Sequence, residues 1–226
     1  MHKKIIAALT LALIGSPVLA EEAEGPNITP KAETDSAETT SSGIEPLMLA
    51  RQLAELGLAE QDPLALIVAA RLMRQNPAQD LEAEKTEGER TSEPDPLDSV
   101  DHLLDQAREF SGGRAEILAL IETVPEATKG AVGYARRVTD SVRPRRTDIW
   151  TIPFRGGERA EVGVIGAGPG DTIDCFVYDE NGGLIGQDIS INPTCSIAWR
   201  PIWTGNFRIH VQNLTSRSIP YLLLTN

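Results

Sequence analysis

Two cysteines, two histidines beyond the N-terminus and a series of carboxylates between residues 171 and 188 are where chemistry could reside in this 226-residue sequence. Cys175 shares a period-two face with Val177, and Cys195 shares one with Ile197 and Trp199, so both thiols point into a core if those strands are half-buried. A single pair in an oxidising compartment is expected to be joined, and the alternative is two buried free thiols acting as small hydrophobes. Asp171, Asp174, Asp179, Asn181 and Asp188 supply the hard oxygen ligands that suit calcium. The competing reading of the same residues is a tight turn shaped by Asp179 and Asn181, with the rest solvated. Calcium is thus a possible cofactor, and no other is expected. Tyr178 has the opposite parity to Val177 and should lie off the core, so Tyr178 and Trp203 are candidate ligand-contact aromatics at the surface of the module.

Catalytic chemistry finds little support. His102 and His210 stand in no HExxH pattern and beside no evident second ligand, so zinc catalysis lacks a ligand set. There is no Gly-x-Ser-x-Gly elbow. Gly166, Gly168 and Gly170 follow a strand as a phosphate loop would, but the next residues read as another strand rather than a helix N-terminus. The chain is expected not to be an enzyme, with no catalytic residues and no cofactor-binding set.

The elements that must position these groups fall into two regions. Lys3 and Lys4, the apolar run from Ile5 to Ile14 and the sequence Val18-Leu19-Ala20 read as a signal peptide over residues 1–20. The run is about half the length that a hydrocarbon core of roughly 30 Å requires, so no membrane span is expected after cleavage. The chain is therefore expected to be periplasmic or secreted. Residues 21–45 are polar and acidic and read as a disordered tether.

A helical region is expected over residues 46–140. Its markers are Pro at the first helical position in Glu45-Pro46-Leu47, Asp62-Pro63-Leu64 and Asp95-Pro96-Leu97. Leu64 to Met73 is apolar almost all round and reads as a helix buried between neighbours. Leu97, Val100, Leu103, Leu104 and Ala107 mark one helical face, Ile117 to Ile121 a further short helix, and Ala127 to Val138 another. Residues 76–94, with Glu82, Glu84, Glu87 and Glu89, lack an apolar stripe and read as a mobile acidic loop. The two Asp-Pro-Leu starts lie 33 residues apart, which weakly resembles the period of tetratricopeptide-type helix pairs, against the alternative of an ordinary small bundle.

The pattern changes at Arg143-Pro144-Arg145-Arg146, and residues 141–148 read as a linker, its basic run either solvated or contacting an anionic surface. Beyond it, period-two alternation sets in: Trp150, Ile152 and Phe154 share one face, as do Ala160, Val162 and Val164, and Phe207, Ile209 and Val211. Gly-rich turns, including Asn181-Gly182, separate the runs. The expected fold class is α+β in separate regions: a small N-terminal helical bundle, then over residues 149–226 an antiparallel β-sandwich or jelly-roll-like domain of about seven strands.

Several of these elements resemble the bacterial pre-peptidase C-terminal domain over roughly residues 147–226. They are Phe154 with Gly157-Glu158, the strand Asp174 to Asp179 followed by Asn181-Gly182, the segment Ile197 to Pro201, the run Thr204 to Val211, and the closing Tyr221-Leu222-Leu223. The resemblance implies a β-sandwich that carries no peptidase residues and has an accessory or binding role beside secreted peptidases; some relatives of that family bind calcium. The upstream region of this chain is too short and too poor in catalytic residue types to be such a peptidase.

Charge narrows the partners. The formal net charge is −12, and residues 21–140 hold 25 acidic against 11 basic side chains while residues 141–226 hold eight of each. Such a field repels phosphate backbones, so nucleic acid is not an expected partner. The sequence reads as a non-catalytic exported interaction or accessory protein, its helical region contacting a partner protein and its sandwich serving recognition or spacing. The alternatives are a calcium-dependent or aromatic-mediated module for extracellular polysaccharide or protein, and an accessory factor of a secreted peptidase.

Overall fold

A computed structural model describes residues 25–30, 44–88, 95–126, 135–166 and 172–226. The signal-like segment, most of the tether, and Asp171 lie outside the described residues.

Four helices form one layer: α1 (Ile44–Ala59), α2 (Pro63–Gln75), α3 (Val100–Phe110) and α4 (Ala115–Ile121). Asp62 caps α2 through its carboxylate, which accepts the Leu64 amide at 2.8 Å, with Pro63 in the first turn. The start at Asp95-Pro96-Leu97 differs from expectation, and Pro46 stands at the third rather than the first residue of α1. Pro96–Asp98 is a single 3₁₀ turn, and α3 begins after it with Ser99 capping the His102 amide. Ala54, Leu66, Ala70, Leu103, Ala107, Ile117 and Ile121 build the helical core. The helix α2 is not buried all round: Leu64 and Val68 are each 47% exposed.

Ten strands among the described residues make two five-stranded sheets: the seven expected in the C-terminal region, from Thr147 onward, and three more contributed from upstream. The first has the order β1 (Gln79–Asp80), β3 (Arg136–Val142), β10 (Ile219–Thr225), β5 (Ala160–Gly166), β8 (Thr194–Trp199). The second runs β2 (Glu84–Glu87), β4 (Thr147–Phe154), β9 (Gly205–Asn213), β6 (Ile173–Tyr178), β7 (Leu184–Asp188). All pairings are antiparallel except β1 with β3. Trp150, Ile152, Phe154, Val162, Val164, Val177, Phe207, Ile209, Val211 and Tyr221 fill the space between the sheets. This is an α+β protein with a β-sandwich.

Four boundaries differ from those read in the sequence, and each for a non-local reason. Residues 136–138 are not helical, because β3 is zipped to β10 from Arg136 opposite Thr225 to Val142 opposite Ile219. The stretch 141–148 is part of the sandwich rather than a linker: it carries the end of β3, a turn through Arg145 at φ 54° and the start of β4, and so crosses from the first sheet to the second. The acidic stretch 76–94 contributes β1 and β2, one to the edge of each sheet, with Leu81 buried between them. Within the presumed tether, residues 25–30 dock on the sandwich: the Thr29 amide donates to the Arg200 carbonyl at 2.8 Å, and Asn27 is fully buried.

The strand β2 is held by one side chain. Lys85 turns inward, its side chain 4% exposed, and Nζ lies 3.1 Å from Asp140 Oδ2 and 2.8 Å from Asp148 Oδ2. Trp150 Nε1 donates to the Tyr221 hydroxyl at 2.8 Å, which in turn donates to Asp148 Oδ2 at 2.9 Å. Gly88 closes over this cluster at φ +93°, where a Cβ would stand 2.1 Å from Asp148 Oδ1. An ammonium beside two buried carboxylates offsets their charge, which an apolar residue at 85 would not do.

The helices pack on the first sheet. Ile44, Leu47 and Met48 of α1 meet Ile165, Leu222 and Leu224, which is why β5 is buried on both faces. Gly163 permits the approach, since a Cβ there would lie 2.6 Å from Met48 Sδ. Arg51, 2% exposed, ties α1 to the 3₁₀ turn before α3, reaching Glu55 at 3.0 Å, Asp95 at 2.6 Å and Asp98 at 3.1 Å. Burial opposes its charge, but Asp95 and Asp98 hold its pKa above the ordinary value.

Candidate binding face

With α1 seated on the first sheet, the outer face of the second sheet is the sandwich surface on which, among the described residues, the helical layer does not rest. Strand parity sets what it displays. In β6, Ile173, Cys175 and Val177 are buried, while Asp174, Phe176 and Tyr178 face outward and are half-buried. In β9 the outward residues are Arg208, His210 and Gln212, with Phe176 opposite His210 and Tyr178 opposite Arg208.

Three rings therefore form a strip. Phe176 and Tyr178 stack with centroids 6.4 Å apart and an interplanar angle of 22°, and His210 tilts against Tyr178 at 4.7 Å. Gln187 of β7 lies opposite Phe176 on the other side, so the rings are flanked by an amide and by the Arg208 guanidinium. Burial, reinforced by Arg208 and opposed by Glu87, lowers the His210 pKa, which favours a neutral imidazole in the strip. The surface thus offers apolar ring faces bordered by hydrogen-bonding groups.

Tyr178 takes the outward place that parity gave it, but Trp203 is not stacked with it. Trp203 belongs to the end of the sandwich, where its indole N–H donates to Glu180 at 2.6 Å and its amide donates to Asn27 Oδ1 at 3.0 Å. Phe176 and His210 are the partners that the sequence reading missed. Phe176 could have been found from its shared parity with Tyr178, whereas His210 joins them only through the β6–β9 register.

The residues read as possible calcium ligands are dispersed among other tasks. Asp179 is buried and spends both oxygens on main-chain amides: Oδ1 accepts from Asn181 at 3.0 Å and Gly183 at 2.7 Å, and Oδ2 from Asn27 at 2.8 Å. Asp188 accepts from Ser190 and from the Ser196 amide, and despite the opposing effect of burial these bonds hold its pKa down. Asp174 lies diagonally across from Asp188, and burial, with Asp188 adding to it, raises its pKa. Among the described residues no three acidic, histidine or cysteine side chains converge as a metal site. Cys175 and Cys195 are joined in a disulfide, with Cα atoms 6.2 Å apart, linking β6 of the second sheet to β8 of the first.

No family model matches the chain, and no curated protein matches it. Among solved structures, the chain is similar to the pre-peptidase C-terminal domain of collagenase from Bacillus anthracis, at 13% identity and a TM-score of 0.33, covering 39% of this chain and 86% of that one. It is also similar to a periplasmic inhibitor of g-type lysozyme from Aeromonas hydrophila, at 16% identity and a TM-score of 0.31, covering 45% and 91% of the two chains. Likeness at these scores assigns neither a family nor a function. Among the described residues, no helix is long and apolar enough to cross a membrane.

Proposed function

We propose that the chain is an exported, non-catalytic recognition module that binds extracellular polysaccharide on the open face of its second sheet. The observation that carries this reading is the strip of Phe176, Tyr178 and His210, half-buried and therefore rigid, bordered by Arg208 and Gln187. Sugar rings present an apolar C–H face and a rim of hydroxyls, so stacked aromatics edged by an amide and a guanidinium match both parts. Export is supported by the N-terminal order of Lys3, Lys4, an apolar run and Ala20, and by the disulfide.

The test is co-sedimentation of the full chain with insoluble peptidoglycan, chitin and cellulose, alongside a Phe176→Ala, Tyr178→Ala double variant. Binding to at least one of them should weaken several-fold in the variant, consistent with roughly 1 kcal/mol per lost stacking contact. Equal retention of both proteins, or of neither, would remove the polysaccharide reading.

A second reading, that the helical layer docks a partner protein, is favoured by exposed apolar side chains on its outer surface. Leu49 and Leu56 of α1 are 48% and 52% exposed, and Leu64 and Val68 of α2 are 47% each. Apolar side chains left at a helix surface are available to a protein contact where they adjoin one another. A Leu56→Glu, Leu64→Glu variant that keeps its fold and still captures the same cross-linked neighbours from an intact envelope would sink it.

A further inference from the structure

A primary amine and two carboxylates meet inside the sandwich in an arrangement that exceeds what holding β2 requires. The side chains of Lys85, Asp140 and Asp148 are 4%, 0% and 3% exposed. Lys85 and Asp148 belong to the second sheet and Asp140 to the first. Trp150 lies beneath the amine, its ring centroid 5.6 Å from Nζ, and its indole N–H holds the Tyr221 hydroxyl that donates to Asp148. Both carboxylates face the ammonium in a buried place, and burial raises the Asp148 pKa against the opposing effect of Lys85. A proton shared within this trio frees the amine beside the Asp140 carboxyl, whose Oδ2 lies 3.1 Å from Nζ.

We propose that Lys85 and Asp140 join autocatalytically in an intramolecular amide that ties one sheet of the sandwich to the other, with Asp148 carrying the protons. The roles follow from the hydrogen bonds. Asp140 Oδ1 accepts the Ser141 amide at 2.7 Å, so a donor is already aimed at the oxygen that gathers charge, while Oδ2 faces Nζ. Asp148 Oδ2, at 2.8 Å from Nζ, is placed to take a proton from it.

The ammonium passes one proton by way of Asp148 to Asp140 Oδ2, and the freed amine attacks Cγ. The Nζ–Cγ bond forms while Oδ1 becomes the oxyanion facing the Ser141 N–H. Asp148 then removes a second proton from the nitrogen and delivers it to Oδ2. The Cγ–Oδ2 bond breaks, water leaves, and Oδ1 recovers its carbonyl bond. One ammonium and one carboxylate become one amide and one water, Asp148 returns to its starting state, and no oxidant, metal or cofactor enters.

The experiment is tryptic mapping of the purified, reduced and alkylated full chain. The peptide 75–90, uncleaved at Lys85, should appear joined to the peptide 138–145, lighter than the two together by the mass of one water. Recovery of the separate peptides with cleavage after Lys85 would show an ordinary ion pair and overturn the proposal. Two variants test the roles where they fold: Asp148→Asn should leave the peptides unlinked, and Asp140→Asn should link them with loss of ammonia instead of water. A link that still forms in Asp148→Asn removes Asp148 as proton carrier, and a loss of water in Asp140→Asn moves the bond to Asp148. The wild-type map decides the cross-link itself whether or not either variant is stable.

Discussion

The main-chain amide of Asn27 donates to Asp179 Oδ2 at 2.8 Å, across 152 residues of sequence. The Asn27 side chain completes the clasp: Oδ1 accepts the amides of Ile202 and Trp203, and Nδ2 donates to the Trp203 carbonyl at 2.9 Å. Asn27→Ala strips acceptors from two amides and a donor from a carbonyl in a buried place. A loss of roughly 1–3 kcal/mol is expected, since an unsatisfied buried group carries its full desolvation penalty. Urea unfolding would show it, and an unchanged midpoint would mean that the segment is not held by this residue.

The disulfide between Cys175 and Cys195 closes a separation of 20 residues and bridges the two sheets. Constraint of the unfolded chain should contribute about 3 kcal/mol. A Cys175→Ala, Cys195→Ala double variant is therefore expected to unfold at lower denaturant. Non-reducing alkylation should label no cysteine in the wild-type protein.

Gly163 is where α1 meets the first sheet, and its missing side chain is occupied by Met48 and Ile44. Valine suits a strand, so Gly163→Val isolates the steric effect from any loss of strand propensity. Overpacking should cost about 1–3 kcal/mol. Hydrogen exchange should quicken in α1 more than in β4 or β9, and uniform protection would contradict the contact.

His210 has a folded pKa below its ordinary 6.5. As pH falls below that value the unfolded chain takes up the proton while the folded strip resists it, so stability is full above the window and declines below it. Thermal midpoints measured from neutral to mildly acidic pH should fall, and His210→Gln should flatten that part of the profile. Parallel profiles for the two proteins would show that the strip does not disfavour the charged ring.

The strands of the sandwich interior and the inward parity of both cysteines were legible because half-buried strands write their position as alternation: Trp150, Ile152 and Phe154 do so, and Cys175 with Val177. The caps at Asp62 and Ser99 concern neighbouring residues, and only Asp62 was visible as a start signal beside its proline. Glu84–Glu87 carried no comparable signal. It is a short edge strand whose exposed residues are Glu84, Thr86 and Glu87, and its one inward side chain is a lysine whose burial depends on Asp140 and Asp148, more than fifty residues away in sequence. The same holds for Asn27, whose partners are numbered 179 to 203, and for His210, brought to Tyr178 by pairing across two strands. Sequence alone determined which faces must be apolar, because that requirement is local and repeats with the backbone period. Only the tertiary structure decided which polar groups are buried, because a charge or an amide becomes affordable inside a protein solely through the distant partners that the fold delivers to it.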